Sequence, residues 1–228
     1  MFRKMKKKIN FLLVLGRYNY PTGAFLLMWP CFWGVLYNPN FEGNYLSTLF
    51  LLFMGSFIMR GAGCCINDFF DKDLDKKIER TKNRPLAKNL VSHFDVLCFI
   101  FFQLILGLLI LINFNAKVIF FSFLIFPLVV IYPLFKRVTN FPQVILGIVF
   151  NWGVVVGFLT QNNHLNIGII YLYISGIFLT IAYDTIYAFQ DLSDDKLVGV
   201  KSLAIYLEKK PKIIIFLIFF ISYIFLNL

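Results

Sequence analysis

The chain has 228 residues, of which 59% are apolar and only 15% charged, and a mean hydropathy of +0.76. Ordinary soluble domains are about 25% charged, so a disordered chain and a typical soluble enzyme are both excluded. The net charge of +10 does not mark a nucleic-acid binder either, because the basic residues sit in gaps between apolar runs rather than along one folded face.

The basic arm at residues 1–10 precedes only five apolar residues, 11–15. That run is too short for a signal-peptide core and predicts a retained arm in the cytosol or at the membrane interface. Seven apolar segments follow, at 22–37, 46–66, 91–112, 116–135, 144–161, 167–189 and 213–228. A membrane-spanning helix needs about 20 mostly apolar residues, so the expected fold is all-α, a polytopic transmembrane bundle of about seven helices. The connections at 38–45, 113–115 and 162–166 are short and nearly neutral. Twenty of the 22 Lys and Arg lie in the first 20 residues or in the connections at 67–90, 136–143 and 190–212. The exceptions are Arg60 and Lys117. The positive-inside rule then places the N-terminus and every charged connection in the cytosol. Cys31, Cys64, Cys65 and Cys98 lack metal-ligand spacing and read as small buried hydrophobes, and His93 and His164 read as loop histidines.

Acidic residues are concentrated in two places. Asn67, Asp71 and Asp75 follow an i, i+4, i+8 spacing with Asp68 beside them, so all four share one helical face. Asp184, Asp191, Asp194 and Asp195 form a second set at the end of the sixth segment. Like charges at i, i+4 destabilise a helix, and Lys72 and Lys76 lie on neighbouring faces, so a cationic partner is expected between the two sets. Hard oxygen donors suit Mg²⁺, which prefers one or two carboxylates together with substrate phosphates. The chemistry suggested is a diphosphate held through Mg²⁺ between two acidic helix ends. Arginine is scarce, with six against 16 lysines, and binds phosphate or carboxylate in a planar, bidentate manner. Arg60, eight residues before Asp68, and Arg80, Arg84 and Arg137 are therefore noted beside the acids.

An ordered set of motifs runs through almost the whole chain. It opens with Pro21-Thr22-Gly23-Ala24, Trp29-Pro30 and Met59-Arg60-Gly61-Ala62-Gly63-Cys64, and continues with the Asn67 to Asp75 acids, Arg80-Thr81 and Arg84-Pro85-Leu86. Tyr132-Pro133, Lys136-Arg137 with Thr139, Pro142-Gln143 and Leu146-Gly147 follow. Tyr183-Asp184-Thr185, Tyr187-Ala188, Asp191 with Asp194-Asp195, and Gly199 with Lys201-Ser202 close it. Together they resemble the UbiA-type intramembrane prenyltransferase family, and most of all its 4-hydroxybenzoate polyprenyltransferase branch.

The resemblance implies one membrane domain over residues 1–228, with helices around a central cavity that is capped by the cytosolic connections and opens sideways to lipid. It also implies transfer of a polyprenyl group from polyprenyl diphosphate to the ring carbon of 4-hydroxybenzoate ortho to the hydroxyl, with release of diphosphate, on the route to ubiquinone. Asn67, Asp68, Asp71 and Asp75 would hold one Mg²⁺, and Asp191 and Asp195 a second. Arg60, Lys136 and Lys201 would bind phosphate oxygens, and Arg137 the benzoate carboxylate. Asp184 would orient the phenol or take the ring proton, and Tyr183 or Tyr187 would shield the developing carbocation. Besides these substrates and membrane lipid, the sequence implies no protein partner. A bacterial inner membrane, with the site on the cytosolic side, is the implied location. The family usually has nine spanning helices, so a chain ending in its seventh is expected to leave part of the cavity wall open, and prenyl transfer to another aromatic acceptor and an inactive remnant are the alternative readings.

Two other classes fit less well. Transporters place their acids near the bilayer midplane, in broken helices within inverted repeats, whereas these acids lie at helix ends. A CDP-alcohol phosphatidyltransferase needs an Asp-Gly pair, but Phe69 and Lys72 follow Asp68 and Asp71.

Overall fold

A computed structural model describes residues 2–37, 44–161 and 164–228. Most of the predicted connections at 38–45 and 162–166 therefore falls outside or beside the described residues. Those described form ten α-helices: α1 (Phe2–Leu15), α2 (Thr22–Leu36), α3 (Tyr45–Asp75), α4 (His93–Leu111), α5 (Ala116–Val138), α6 (Pro142–Leu159), α7 (Ile167–Ala188), α8 (Leu192–Val198), α9 (Leu203–Tyr206) and α10 (Pro211–Leu226). All seven apolar segments become helices. Five of them are long and apolar enough to cross a membrane, whereas α2 and α10, at 15 and 16 residues, are apolar but shorter. The chain is a multi-pass membrane protein.

Helix α3 is where length matters most. At 1.5 Å per residue its 31 residues extend roughly 46 Å, against a hydrocarbon core of about 30 Å. The apolar run ends at Ile66, but the helix continues unbroken through Asp75 and carries the first acidic set out of the bilayer core on one rigid rod.

The helices pack in an arc. α4 lies on α3, α3 on α2, α2 on α6 and α6 on α5, with α7 outside α6 and α10 outside α7. Helices α2 and α6 approach closely because glycines face each other's backbone. A Cβ at Gly34 would collide with the Val154 carbonyl, and one at Gly157 with the Cys31 carbonyl. Buried polar pairs tie the outer layers. Asn151 donates to Thr180 Oγ1 at 2.7 Å between α6 and α7, and the Ser175 and Ser222 hydroxyls lie 3.2 Å apart between α7 and α10. Although α4 and α5 follow each other through a tight turn, they barely touch, and the space between them belongs to the central cavity.

Two smaller expectations change. His93 is not a loop residue: it opens α4, where its ring packs edge-on to Phe69 with centroids 5.4 Å apart. Cys31, Cys64 and Cys65 are buried, but Cys98 faces outward from α4. The N-terminal arm is helical and docked, with Leu15 fully buried among Cys65, Leu86, Val96 and Ile100 and Lys8 paired to Asp95.

Candidate functional site

A cavity of about 1120 Å³ occupies the arc, lined by α2 to α6, the α1–α2 connection and the last turns of α7. It follows α3 from Leu51 to Asp68, a rise of roughly 25 Å along the helix. Most of its wall is apolar, including Leu27, Leu52, Phe57, Leu104, Leu108, Phe114 and Phe126. Its charged end holds Arg17, Arg60, Asn67, Asp68, Arg80, Arg84 and Asp184. A smaller cavity of about 210 Å³ adjoins that end and is lined by Asp71, Asp75, Lys136, Asp191, Asp195 and Lys201. Asn67, Arg80, Arg84, Tyr132 and Asp184 line both. Helix α10 lines neither, and the described residues that line the two spaces all precede residue 203.

The two acidic sets of the sequence thus meet at one end of the bundle, on the side of the N-terminal arm. Asp68, Asp71 and Asp75 are buried, and each is held by a basic side chain from a different element. Arg17 Nη2 donates to both Asp68 oxygens at 2.9 Å, and Arg84 Nη1 bridges Asp68 at 2.9 Å and Asp75 at 2.8 Å. Lys136, at the end of α5, pairs with Asp71 Oδ2. These cations answer the repulsion that the i, i+4 spacing would otherwise cause. The 76–92 connection is folded over the end of α3, with Thr81 Oγ1 donating to the Asp75 carbonyl at 3.1 Å and Leu86 buried, and this fold brings Arg84 into place.

In the second set, Asp191 accepts from Arg80 Nε at 2.7 Å, which raises the Arg80 pKa above its ordinary value, while Asp194 accepts the Glu79 backbone N–H at 3.3 Å. A 3₁₀ turn (Phe189–Asp191) separates α7 from α8, so these acids lie on a broken helix end rather than on one continuous face. Arg80 also lies over the Tyr187 ring at 5.7 Å, so that ring already faces a cation of the protein itself.

The candidate metal and substrate residues all line one of the two cavities except Arg137, and Asp194 of the second acidic set also lines neither. Arg137 is exposed and donates to the Phe70 carbonyl at 2.6 Å; its Nη2 comes no nearer than 3.8 Å to Asp71 Oδ1. Lys201 donates to the Val138 carbonyl at 3.1 Å from the rim of the smaller cavity. Arg60 lies eight residues before Asp68 on α3, roughly 12 Å along the helix. Its guanidinium stands 5.2 Å from the Phe150 ring, beside Tyr132, Tyr183 and Asp184.

Two buried polar atoms among the described residues lack a hydrogen-bond partner, Arg60 Nε and Asp71 Oδ1. One is a donor, packed against Gly23, and one an acceptor, 3.8 Å from Arg137 Nη2. Leaving such groups unsatisfied costs free energy, which ligands would recover. Among the described residues no three His, Cys, Asp or Glu side chains converge into a ready-made metal cage, because Arg and Lys stand between the carboxylates. The donor chemistry nonetheless suits Mg²⁺, since all the donors are hard oxygens and Asp71 presents one that is free. Asp68 is the member least available to a metal, its oxygens being taken by two arginines.

Residue-type reasoning does not single out Arg17, Tyr132 or Gln103. Scarcity of arginine is the signal that points to Arg17. Tyr132 is flagged by its Tyr132-Pro133 motif and Gln103 by its polarity within an apolar segment, but the partners of both arise from packing between helices.

The family model of the UbiA prenyltransferase family matches residues 27–228. The 4-hydroxybenzoate polyprenyltransferase, mitochondrial, of Drosophila pseudoobscura pseudoobscura is 45% identical over 202 residues, covering 87% of this chain and 51% of the relative. The chain spans about half the length of the first curated relatives it matches. Among solved structures, the apo form of a UbiA homologue from Aeropyrum pernix K1 aligns with a TM-score of 0.72 at 22% identity, over 90% of this chain and 75% of that one. A UbiA homologue from Archaeoglobus fulgidus bound to GPP and Mg²⁺ aligns with a TM-score of 0.71 at 19% identity, over 94% and 75%. The motifs, the fold and these matches agree: the chain belongs to the UbiA prenyltransferase family.

Proposed function

We propose that this chain transfers a polyprenyl group from polyprenyl diphosphate to the ring carbon of 4-hydroxybenzoate ortho to the hydroxyl. The observation that carries the reading is the cavity itself: a long apolar space ending in paired aspartates and basic side chains, amphipathic in the same sense as an isoprenoid diphosphate. The names of the 4-hydroxybenzoate relatives support the acceptor.

The donor's tail lies along α3 against Leu52, Phe57, Leu104 and Leu108, and its diphosphate faces Arg60, Lys136 and Lys201. Asn67, Asp71 and Asp75, with the arginine-clamped Asp68, and Asp191 with Asp195 opposite would hold Mg²⁺, whose chemistry is to neutralise diphosphate charge. The Archaeoglobus homologue bound to GPP and Mg²⁺ supports that assignment. The allylic C–O bond breaks and its electron pair leaves with the diphosphate. The ring carbon then forms the new C–C bond to the allylic carbon and gives up its proton to Asp184, which restores the aromatic ring. Tyr183, on the large cavity's wall beside Asp184, presents a ring to the developing cation. Arg60, which lines the large cavity over Phe150, is better placed for an anionic group than Arg137, which reaches the site only by leaving Phe70.

We place the N-terminus and the site in the cytosol of a bacterial inner membrane, on the strength of the basic connections. The curated relatives' mitochondrial names favour a mitochondrial inner membrane as the second reading, and fractionation of the native cell separates the two. The chemistry is tested by incubating membranes that carry the chain with geranyl diphosphate, 4-hydroxybenzoate and Mg²⁺ and fragmenting the product by mass spectrometry. A carbon-prenylated ring together with released diphosphate is the expected result; an oxygen-linked ether or an unchanged acceptor rejects it.

A further inference from the structure

Gln103 is a polar side chain in the middle of the apolar helix α4, and it is 1% exposed. Polar groups at membrane depth are costly and call for a reason. Its Oε1 accepts from the Tyr18 hydroxyl at 2.7 Å, and its Nε2 donates to the Phe99 carbonyl at 3.2 Å with Cys65 Sγ at 3.8 Å. The Tyr18 ring packs edge-on to Phe99, with centroids 6.5 Å apart. On the α3 side the fit depends on Gly61, where a Cβ would overlap both the Tyr18 hydroxyl and Gln103 Oε1. Burial pushes the Tyr18 phenol up to about 12, so it stays protonated and remains the donor.

The residue before Tyr18 is Arg17, whose backbone is left-handed, with φ of 60°. Side chains other than glycine disfavour that conformation, so the surroundings must impose it. Arg17 Nη1 caps the end of α1 by donating to the Leu15 carbonyl at 2.9 Å, and its Nη2 carries the paired contact to Asp68. Without Arg17, the buried Asp68 carboxylate would keep only the Arg84 contact, which Arg84 shares with Asp75. Uncompensated negative charge would then stand at the end of the cavity assigned to a diphosphate.

We propose that Tyr18 and Gln103 are positioning residues: their hydrogen bond anchors the α1–α2 turn between α3 and α4, fixes Arg17 on Asp68, and thereby sets the affinity for the diphosphate end of the prenyl donor. The effect on affinity rests on the functional reading above; the anchoring of Arg17 does not.

Tyr18→Phe, Gln103→Leu, the double variant and Gln103→Glu test it with two measurements on membrane-inserted protein. The first is the KM for geranyl diphosphate beside that for 4-hydroxybenzoate. Tyr18→Phe and Gln103→Leu are expected to raise the donor KM roughly tenfold, the size of the charge-assisted Arg17–Asp68 hydrogen bond that release of the turn would lose, and to leave the acceptor KM unchanged. The double variant is expected to be no worse than either single one, since both remove the same bond. Gln103→Glu keeps an acceptor for Tyr18 and should return the donor KM toward that of the unmodified chain. Equal rises in both KM values, or additive losses, would overturn the proposal. The second measurement is tryptic cleavage after Arg17 relative to cleavage after the exposed Lys8, which needs no activity. The ratio should rise several-fold in Tyr18→Phe and Gln103→Leu as the turn is released. If the unmodified chain transfers no prenyl group, the functional reading fails and this ratio alone decides the anchor: a rise supports it, and an unchanged ratio overturns it.

Discussion

In the first acidic cluster, Asp68, Asp71 and Asp75 are buried and clamped by Arg17, Arg84 and Lys136, which arrive from the N-terminal turn, the 76–92 connection and α5. In the second, among the described residues, Asp191 pairs with the half-exposed Arg80 and Asp194 accepts a backbone amide, on a helix end interrupted by a 3₁₀ turn. The two sets look alike as sequence, yet the first is part of what holds this end of the bundle together, while Asp191 and Asp195 of the second form a looser wall of the smaller cavity. Ion pairs account for the difference. A buried carboxylate cannot remain charged unless it is paired, so a rigid helix that carries three of them must recruit its partners during folding. Partly exposed carboxylates carry no such requirement.

That contrast predicts how the clusters separate under mutation. The largest effect on stability should come from Asp68→Ala, which strands Arg17, leaves Arg84 with Asp75 alone and breaks a buried network; such losses amount to about 3–5 kcal/mol. Thermal unfolding in detergent should show it plainly, together with loss of transfer activity. Asp71→Asn should be milder in unfolding but should lower kcat by about 10²-fold or more, the scale expected when a residue that stabilises developing charge is removed, and steady-state kinetics will read it. Asp191→Ala should cost no more than about 1 kcal/mol of stability, because Arg80 is half-exposed, while still lowering activity. Chelating Mg²⁺ should abolish transfer and leave the unfolding temperature unchanged, since arginine and lysine already satisfy the buried acids. The smallest effect belongs to Asp73→Ala: Asp73 lies within the same stretch of α3 but is 89% exposed and pairs only with Lys76, so neither assay should move. If Asp73→Ala and Asp71→Asn proved equally harmful, the facial division of α3 would be wrong.

Much of this was legible in the residues. The apolar segments located seven helices, with ends matching to within a few residues except at the far end of α3, and the i, i+4 acids announced a shared face, because helical periodicity is local. What stayed hidden depends on contacts across the chain. The apolar run stops at Ile66, and it is the spacing of the acids that carries the helical reading on to Asp75. Their clamping cations are what the sequence hides, since these come from 51, 16 and 65 residues away along the chain. Arg80 and Arg84 read equally well as topological charges until the 76–92 connection is seen folded over the acids. Arg137 and Lys136 are adjacent in sequence, yet their neighbours on α3 and the helix rotation send one into the smaller cavity and the other to the surface. Gln103 stands alone in an apolar stretch, and only the packing of the α1–α2 turn supplies its partner.

The most direct test of the central claim is transfer of a prenyl group to radiolabelled 4-hydroxybenzoate in membranes containing this chain, with Asp71→Asn and EDTA as parallel controls. Labelled prenyl-benzoate that forms with the unmodified chain and disappears in both controls is the predicted result. No labelled lipid from folded, membrane-inserted chain, or product that persists in Asp71→Asn, would contradict it.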